Sequence, residues 1–155
     1  MKVSEIEKII NDAFDNRQNI SDKSDKRILD AINKTIDLTD SGSIRVAEKN
    51  NGSWKVNQWV KKAILLSFKT NKMKMSKGPY TTWYDKVPGK SVSWDEENWK
   101  SAGYRHVPNG VVRKGSFIGK NVVLMPCFVN LGAYVDEGTM IDTWASVGSC
   151  AQIGK

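Results

Sequence analysis

The chain has 155 residues, with 24 Lys and Arg, 17 Asp and Glu, 12 Gly and 4 Pro. This ordinary globular composition excludes a disordered, collagen-like or low-complexity protein, and the length allows one domain or two small ones. No apolar run approaches the roughly 20 residues that cross a bilayer, and the polar N-terminus lacks the apolar core of a signal peptide. We therefore expect neither membrane insertion nor secretion.

The cysteine pattern points to a reducing compartment. The two cysteines, Cys127 and Cys150, do not form a CxxC pair, which argues against a zinc knuckle, and they are too few for a disulfide framework. We predict free thiols, no metal site and a cytoplasmic location.

The net charge of +7 raises the alternative of a nucleic-acid-binding protein. The lysines are scattered among acidic residues and asparagines, and no five-residue block is uniformly basic. Such a pattern is typical of a solvated surface, so we predict no nucleic-acid partner.

Residues 1–110 are predicted to form a mainly helical domain with a β-hairpin. Ser4-Glu5-Ile6-Glu7 has the pattern of a capping box at the start of a first helix. Apolar periodicity predicts a second helix from after Ser24 to about Asp40, and a third over residues 58–67. Asn51-Gly52 lies between two alternating runs, which is the strongest local signal for a hairpin.

The rest of this region predicts less regular structure. We expect a loop over residues 73–78 and a β-prone, aromatic segment over residues 80–87. A second capping box at Ser93-Trp94-Asp95-Glu96 predicts a short helix that ends near Lys100. The tryptophans of this region are expected to pack in the core, while a base-stacking platform is the alternative; they are Trp54, Trp59, Trp83, Trp94 and Trp99.

From residue 111 onwards a large apolar side chain occurs at every sixth position. The eight positions are Val111, Phe117, Val123, Val129, Val135, Ile141, Val147 and Ile153. Small residues follow four positions after most of them, and later units place Asn130, Asp136, Asp142, Gly148 or Gly154 directly after the apolar residue. One short strand and one corner fit into each unit, so the pattern predicts a parallel β-helix with the apolar residues inside.

This repeat divides the chain into residues 1–110 and residues 111–155. Three units make one triangular coil of about 18 residues in the hexapeptide-repeat proteins that the pattern resembles, so residues 111–155 supply two to three coils. The repeat stops within a unit and without a polar cap. We expect the chain to be the N-terminal portion of a longer protein and to expose an apolar open end.

Few side chains are candidates for catalysis. His106 is the only histidine, which disfavours catalytic pairs and triads that need a histidine base, and the predicted coils hold none. Asp136 and Asp142 occupy corner positions, where each either caps its own turn or removes a proton from an amine. Arg105, just before the repeat, forms either a surface ion pair or a fork for a substrate carboxylate.

Several segments resemble one enzyme family. They are DSGSIRVAEK at 40–49, QWVKKAILLSF at 58–68, YDKVP at 84–88 and VLMPCFVNLGAYVDEGTMIDTWASVGSCAQIGK at 123–155. Together they resemble the tetrahydrodipicolinate N-succinyltransferases of bacterial diaminopimelate and lysine biosynthesis, which are hexapeptide-repeat acyltransferases. The resemblance spans nearly the whole chain.

The resemblance implies the fold, the reaction and the site. It implies an α+β N-terminal domain followed by a left-handed parallel β-helix, which this chain contains in part, and a homotrimer with active sites between subunits. Succinyl would pass from succinyl-CoA, a co-substrate, to the amine of ring-opened tetrahydrodipicolinate, with no bound cofactor and no metal. Asp142 would contact the substrate amine and act as the base, and Arg105 would bind a substrate carboxylate. Other site residues of the family would lie beyond Lys155, so the resemblance implies that this chain is inactive alone. A non-catalytic β-helix that serves only trimerisation is the alternative.

Overall fold

The computed structural model describes residues 1–155. Its four helices are α1 (Val3–Asp15), α2 (Lys26–Asp40), α3 (Gln58–Thr70) and α4 (Glu96–Ala102). Two antiparallel hairpins are formed by β1 (Ala47–Asn50) with β2 (Ser53–Val56) and by β3 (Lys74–Lys77) with β4 (Thr82–Asp85). Nine two-residue strands follow: β5 (Arg105–His106), β6 (Val111–Val112), β7 (Phe117–Ile118), β8 (Val123–Leu124), β9 (Phe128–Val129), β10 (Tyr134–Val135), β11 (Met140–Ile141), β12 (Ser146–Val147) and β13 (Gln152–Ile153).

The nine short strands pair in parallel as three stacks of three. The stacks are β5-β8-β11, β6-β9-β12 and β7-β10-β13, so the chain visits each stack in turn and returns to it about 18 residues later. This arrangement is consistent with an N-terminal domain followed by a β-helix. The first stacked strand, β5, precedes Val111, so the stacks begin before the apolar period does.

The apolar period predicts the interior correctly in the later units and wrongly in the first three. Val129, Val135 and Ile141 are buried as predicted, whereas Val111 is 46 % exposed. In β6, β7 and β8 the second residue points inward instead: Val112, Ile118 and Leu124 are buried, and Phe117 and Val123 are only half-buried.

One short corner causes this change of phase. The corner between Leu124 and Phe128 contains three residues, 125–127, whereas the other corners contain four. Parallel partners are therefore 17 residues apart across this corner and 18 apart elsewhere: Val123 pairs with Met140 on one side and with Arg105 on the other. The six-residue apolar period of the sequence therefore continues unchanged across a corner that is one residue shorter than the others.

The corners themselves have a second regularity. One residue in each four-residue corner after residue 106 has a positive φ; these residues are Asn109, Gly115, Asn121, Gly132, Gly138, Trp144 and Cys150. The shortened corner contains no such residue. The positions directly after the apolar residues in the later units do begin the corners, as predicted, and they precede the left-handed residue by two positions.

Helices α1 to α3 form the other core and cover one side of the stacks. Ile10, Ile32 and Val60 are fully buried in this helical core, which Leu131 joins from a corner of the coil. On the adjacent face, the Arg45 guanidinium lies 3.7 Å from the centre of the Tyr134 ring. The corner that contains Trp144 takes no part in these contacts, and the Trp144 side chain is exposed.

Helix and hairpin predictions were correct where the signal was local. The second helix ends at Asp40, and Asn51 and Gly52 have φ values of 49° and 83°, as the tight hairpin turn requires. The third helix extends to Thr70, three residues beyond its predicted end.

Three local predictions were wrong. Helix α1 begins at Val3, so Ser4 lies in its first turn and caps nothing. The predicted loop over residues 73–78 contains β3, because its pairing with β4 supplies hydrogen bonds that the sequence of β3 alone does not reveal. The second capping box exists but is shifted: the Asp95 carboxylate accepts from the Asn98 amide, and Asn98 accepts from Asp95.

The tryptophans divide between packing and exposure. Trp59 is buried in the helical core, and Trp94 and Trp99 pack edge to face beside Tyr104, 4.9 Å apart. Trp54 and Trp83 are 57 % and 46 % exposed on the two hairpins, so the core prediction fails for them.

Candidate active site

The structure places Arg105 and Asp142 on the same face of the strand stacks. Arg105 begins β5 and Met140 begins β11, and both pair in register with Val123 of the strand between them. Asp142 follows directly after β11 and, like Arg105 and Met140, is exposed. Two inter-strand spacings, roughly 10 Å in total, separate the first and third strands of this stack.

Asp142 caps its own turn and retains a free carboxylate oxygen. Its Oδ1 accepts a hydrogen bond of 2.7 Å from the Thr143 amide, and its carbonyl accepts from the Ala145 amide. Asp136 makes the equivalent contact to the Glu137 amide at 2.9 Å. The turn-capping interpretation is therefore correct for both aspartates. Because Oδ2 of Asp142 has no protein partner, the carboxylate can still accept a proton or a hydrogen bond.

Arg105 presents an uncompensated guanidinium. Its backbone amide donates to the Val122 carbonyl at 2.9 Å, which fixes the strand, while its side chain makes no hydrogen bond or ion pair. Arg113 provides a contrast, since its guanidinium is bound by Asp85 at 2.7 Å and by Asn130 at 3.0 Å. The Arg105 fork is thus free to bind a carboxylate with two parallel hydrogen bonds.

The histidine and the thiol nearby are not arranged as a nucleophile and its base. His106 is half-buried, its Nε2 has no partner, and burial lowers its pKa, so the ring is neutral. Cys127 is buried inside the coil, and burial raises the pKa of its thiol. A carboxylate is therefore the base that this face offers.

The sequence analysis missed Trp144 as a feature of this face. Its side chain is 79 % exposed, and its φ is 61°. The signal that could have revealed it is its register: Gly132 and Gly138 occupy the same corner position in neighbouring units. A tryptophan at a position that suits glycine is unexpected on steric grounds.

Two kinds of feature are absent from the structure. No three His, Cys, Asp or Glu side chains come together in a group that could hold a metal ion. No helix combines the length and the apolar character that a membrane span requires.

Comparison with known proteins agrees with the resemblance seen in the sequence. The family model described as "Tetrahydrodipicolinate N-succinyltransferase N-terminal" matches residues 5–70. A curated 2,3,4,5-tetrahydropyridine-2,6-dicarboxylate N-succinyltransferase from Pelagibacter ubique is 65% identical over 138 residues, which are 87% of this chain and 50% of the relative. The chain is thus similar to the N-terminal part of succinyltransferases of this name.

Further members of the succinyltransferase family match over the entire chain. The relative from Bradyrhizobium diazoefficiens is 54% identical over 100% of this chain and 56% of its own length. That from Parvibaculum lavamentivorans is 51% identical with the same coverage. The chain thus spans about half the length of the curated succinyltransferases that it matches.

Proposed function

We propose that the protein carrying this chain transfers succinyl from succinyl-CoA to the amine of ring-opened tetrahydrodipicolinate. The observation that carries the proposal is the placement of Arg105 and Asp142 on one face of one strand stack, each with a free polar group. The names of the relatives suggest the reaction, and the two side chains on this face are chemically suited to it.

The proposed chemistry needs a base and a held thioester, and no covalent enzyme intermediate. The Arg105 guanidinium binds a carboxylate of the amine substrate and directs its nitrogen toward Asp142. As that nitrogen attacks the thioester carbonyl, a C–N bond forms and the C–S bond breaks. The proton leaving the nitrogen passes to Asp142 Oδ2, and the sulfur leaves as CoA thiolate.

The assembly and location of the protein complete the proposal. The three parallel stacks form part of a left-handed β-helix, and the active protein is a cytoplasmic homotrimer whose sites lie between subunits. CoA is a co-substrate rather than a resident cofactor. The placement of the site between subunits is supported by the exposure of Arg105 and Asp142, which leaves their face free to meet a neighbouring subunit and both substrates.

Release of CoA by the whole protein tests this proposal. Asp142→Asn is expected to lower kcat by about a hundredfold or more, since general-base catalysis contributes that much. Asp136→Asn is the matched control, because it alters the same corner position and the same backbone contact on another face. Arg105→Met is expected to raise the KM for the amine substrate.

Two outcomes would contradict the assignment. If Asp142→Asn kept kcat within about threefold, a loss of less than 1 kcal/mol of transition-state stabilisation, Asp142 would be a turn residue only. If wild-type protein released no CoA and succinyl-CoA did not raise its melting temperature, the non-catalytic β-helix would be favoured instead.

A further inference from the structure

Trp144 has a backbone conformation that disfavours large side chains. Its φ of 61° is close to the 80° and 73° of Gly132 and Gly138 in the preceding units. The amide of Trp144 donates to the Pro126 carbonyl at 2.7 Å, which fixes this conformation against the shortened corner below it. Residues held in sparsely populated conformations cluster at functional sites, where a requirement other than stability retains them.

The indole of Trp144 is not retained for packing. With 79 % of its surface exposed, it is the most exposed of the large hydrophobic residues, and it forms no aromatic pair or cation–π contact. Met140, at the start of the same corner segment, is 61 % exposed. Together they present an apolar surface on either side of Asp142. Exposed apolar surface beside polar groups is typical of an interaction site.

The strand register relates the position of Trp144 to those of Arg105 and Asp142. Arg105 is aligned with Met140 at the start of the β5-β8-β11 stack, whereas Trp144 lies beyond Asp142, on the corner that leads to β12. Along the direction of the strands, the register position of Asp142 therefore lies between those of Arg105 and Trp144. If the amine substrate extends from Arg105 to Asp142, the side of its nitrogen that remains open for the second substrate is the side of Trp144.

We propose that Trp144 is a positioning residue for the acyl donor. Its indole supports the apolar arm of the thioester and holds the thioester carbonyl within reach of the amine at Asp142. This inference rests on the proposed succinyl transfer and assigns the two substrates to opposite sides of the aspartate.

Steady-state kinetics of the whole protein, with each substrate varied in turn, tests this assignment. Trp144→Gly removes the indole at a backbone position that suits glycine, so folding is preserved. We expect the KM for succinyl-CoA to rise by roughly tenfold, with little change in the KM for the amine substrate. Trp144→Phe keeps an aromatic surface and is expected to stay within about threefold of wild type.

Asn121→Gly is the matched control for the backbone. Asn121 is exposed, occupies the equivalent corner position with a φ of 58°, and lies at a different corner of the coil. It is expected to leave both KM values unchanged. A KM for succinyl-CoA that Trp144→Gly leaves at the wild-type value, in protein that transfers succinyl, would overturn this inference alone.

A second result would also overturn the assignment of Trp144. If Trp144→Gly reduced the oligomeric mass in solution while the remaining oligomer kept its KM for succinyl-CoA, the indole would belong to a subunit contact. Wild-type protein without succinyl transfer would instead overturn the proposed function, and this inference with it.

Discussion

Lys90 and Asp40 form an ion pair that joins the helices to the strand stacks. The Lys90 side chain is 7% exposed, and its Nζ lies 2.9 Å from Asp40 Oδ2 at the end of α2. The same ammonium donates to the carbonyls of Asp40 and Ser116, and Asp40 Oδ1 accepts from the Gly115 amide at 2.7 Å. Burial lowers the pKa of Lys90, while the carboxylate opposes that shift.

We predict that Lys90→Met destabilises the protein strongly. Removing one partner of a buried pair leaves the other without compensation, which costs about 3 kcal/mol. Lys114→Met is the matched control, because its pair with Asp37 is about half exposed and is worth less than about 1 kcal/mol. Urea unfolding measures both free energies. Equal losses in the two variants would show that Lys90 does not link the two parts of the molecule.

The short corner predicts which side chains support the coil. Leu124 is fully buried and Val123 is half-buried, although the sequence period selects Val123. Leu124→Ala is expected to lower the free energy of unfolding by about 2–4 kcal/mol, from lost burial and the cavity left behind. Val123→Ala is expected to cost less than about 1 kcal/mol. If Val123→Ala cost more unfolding free energy than Leu124→Ala, the inward side chains would follow a uniform six-residue period instead.

Gly138 and Gly148 allow the effect of backbone strain to be measured apart from that of steric contact. An added Cβ would meet nothing within 4 Å at either Gly138 or Gly148, but only Gly138 has a positive φ, of 73°. We expect Gly138→Ala to cost about 1 kcal/mol and Gly148→Ala to be neutral or slightly stabilising. Thermal unfolding of both variants checks this. Equal melting temperatures would mean that this corner stores no strain, which would also weaken the argument from the backbone of Trp144.

His106 predicts a loss of stability in acid. Burial lowers its folded-state pKa below its ordinary value, so the unfolded chain binds a proton at a higher pH than the folded chain does. Between those two pKa values the unfolded state holds more protons, and the free energy of unfolding therefore falls as the pH decreases from about 6.5. Below the folded pKa this contribution stops changing.

The matched variant for this pH dependence is His106→Gln, which does not titrate. Urea titration of both proteins between about pH 7.5 and about pH 4.5 covers the range in which histidine titrates. We expect the unfolding free energy of the wild type, relative to that of the variant, to fall as the pH decreases. If the unfolding free energy depended on pH in the same way in both proteins, the lowered pKa of the half-buried His106 would be contradicted.

The sequence by itself determined the features that depend on local chemistry. The Asn51-Gly52 turn, the end of α2 at Asp40 and the inward position of Val129 follow from backbone preferences or from the spacing of apolar side chains. The family resemblance likewise came from short segments whose residues lie together in the sequence.

Only the tertiary structure decided the relationships between distant segments. β3 forms because β4 pairs with it, and the phase of the first coil depends on how residues 125–127 close their corner. Arg105 and Met140 are 35 positions apart, one step of 18 and one of 17, and they come to the same end of their stack only because both pair with Val123. Strand pairing and register depend on contacts between segments that are distant in the sequence, so the local pattern of one segment does not specify them.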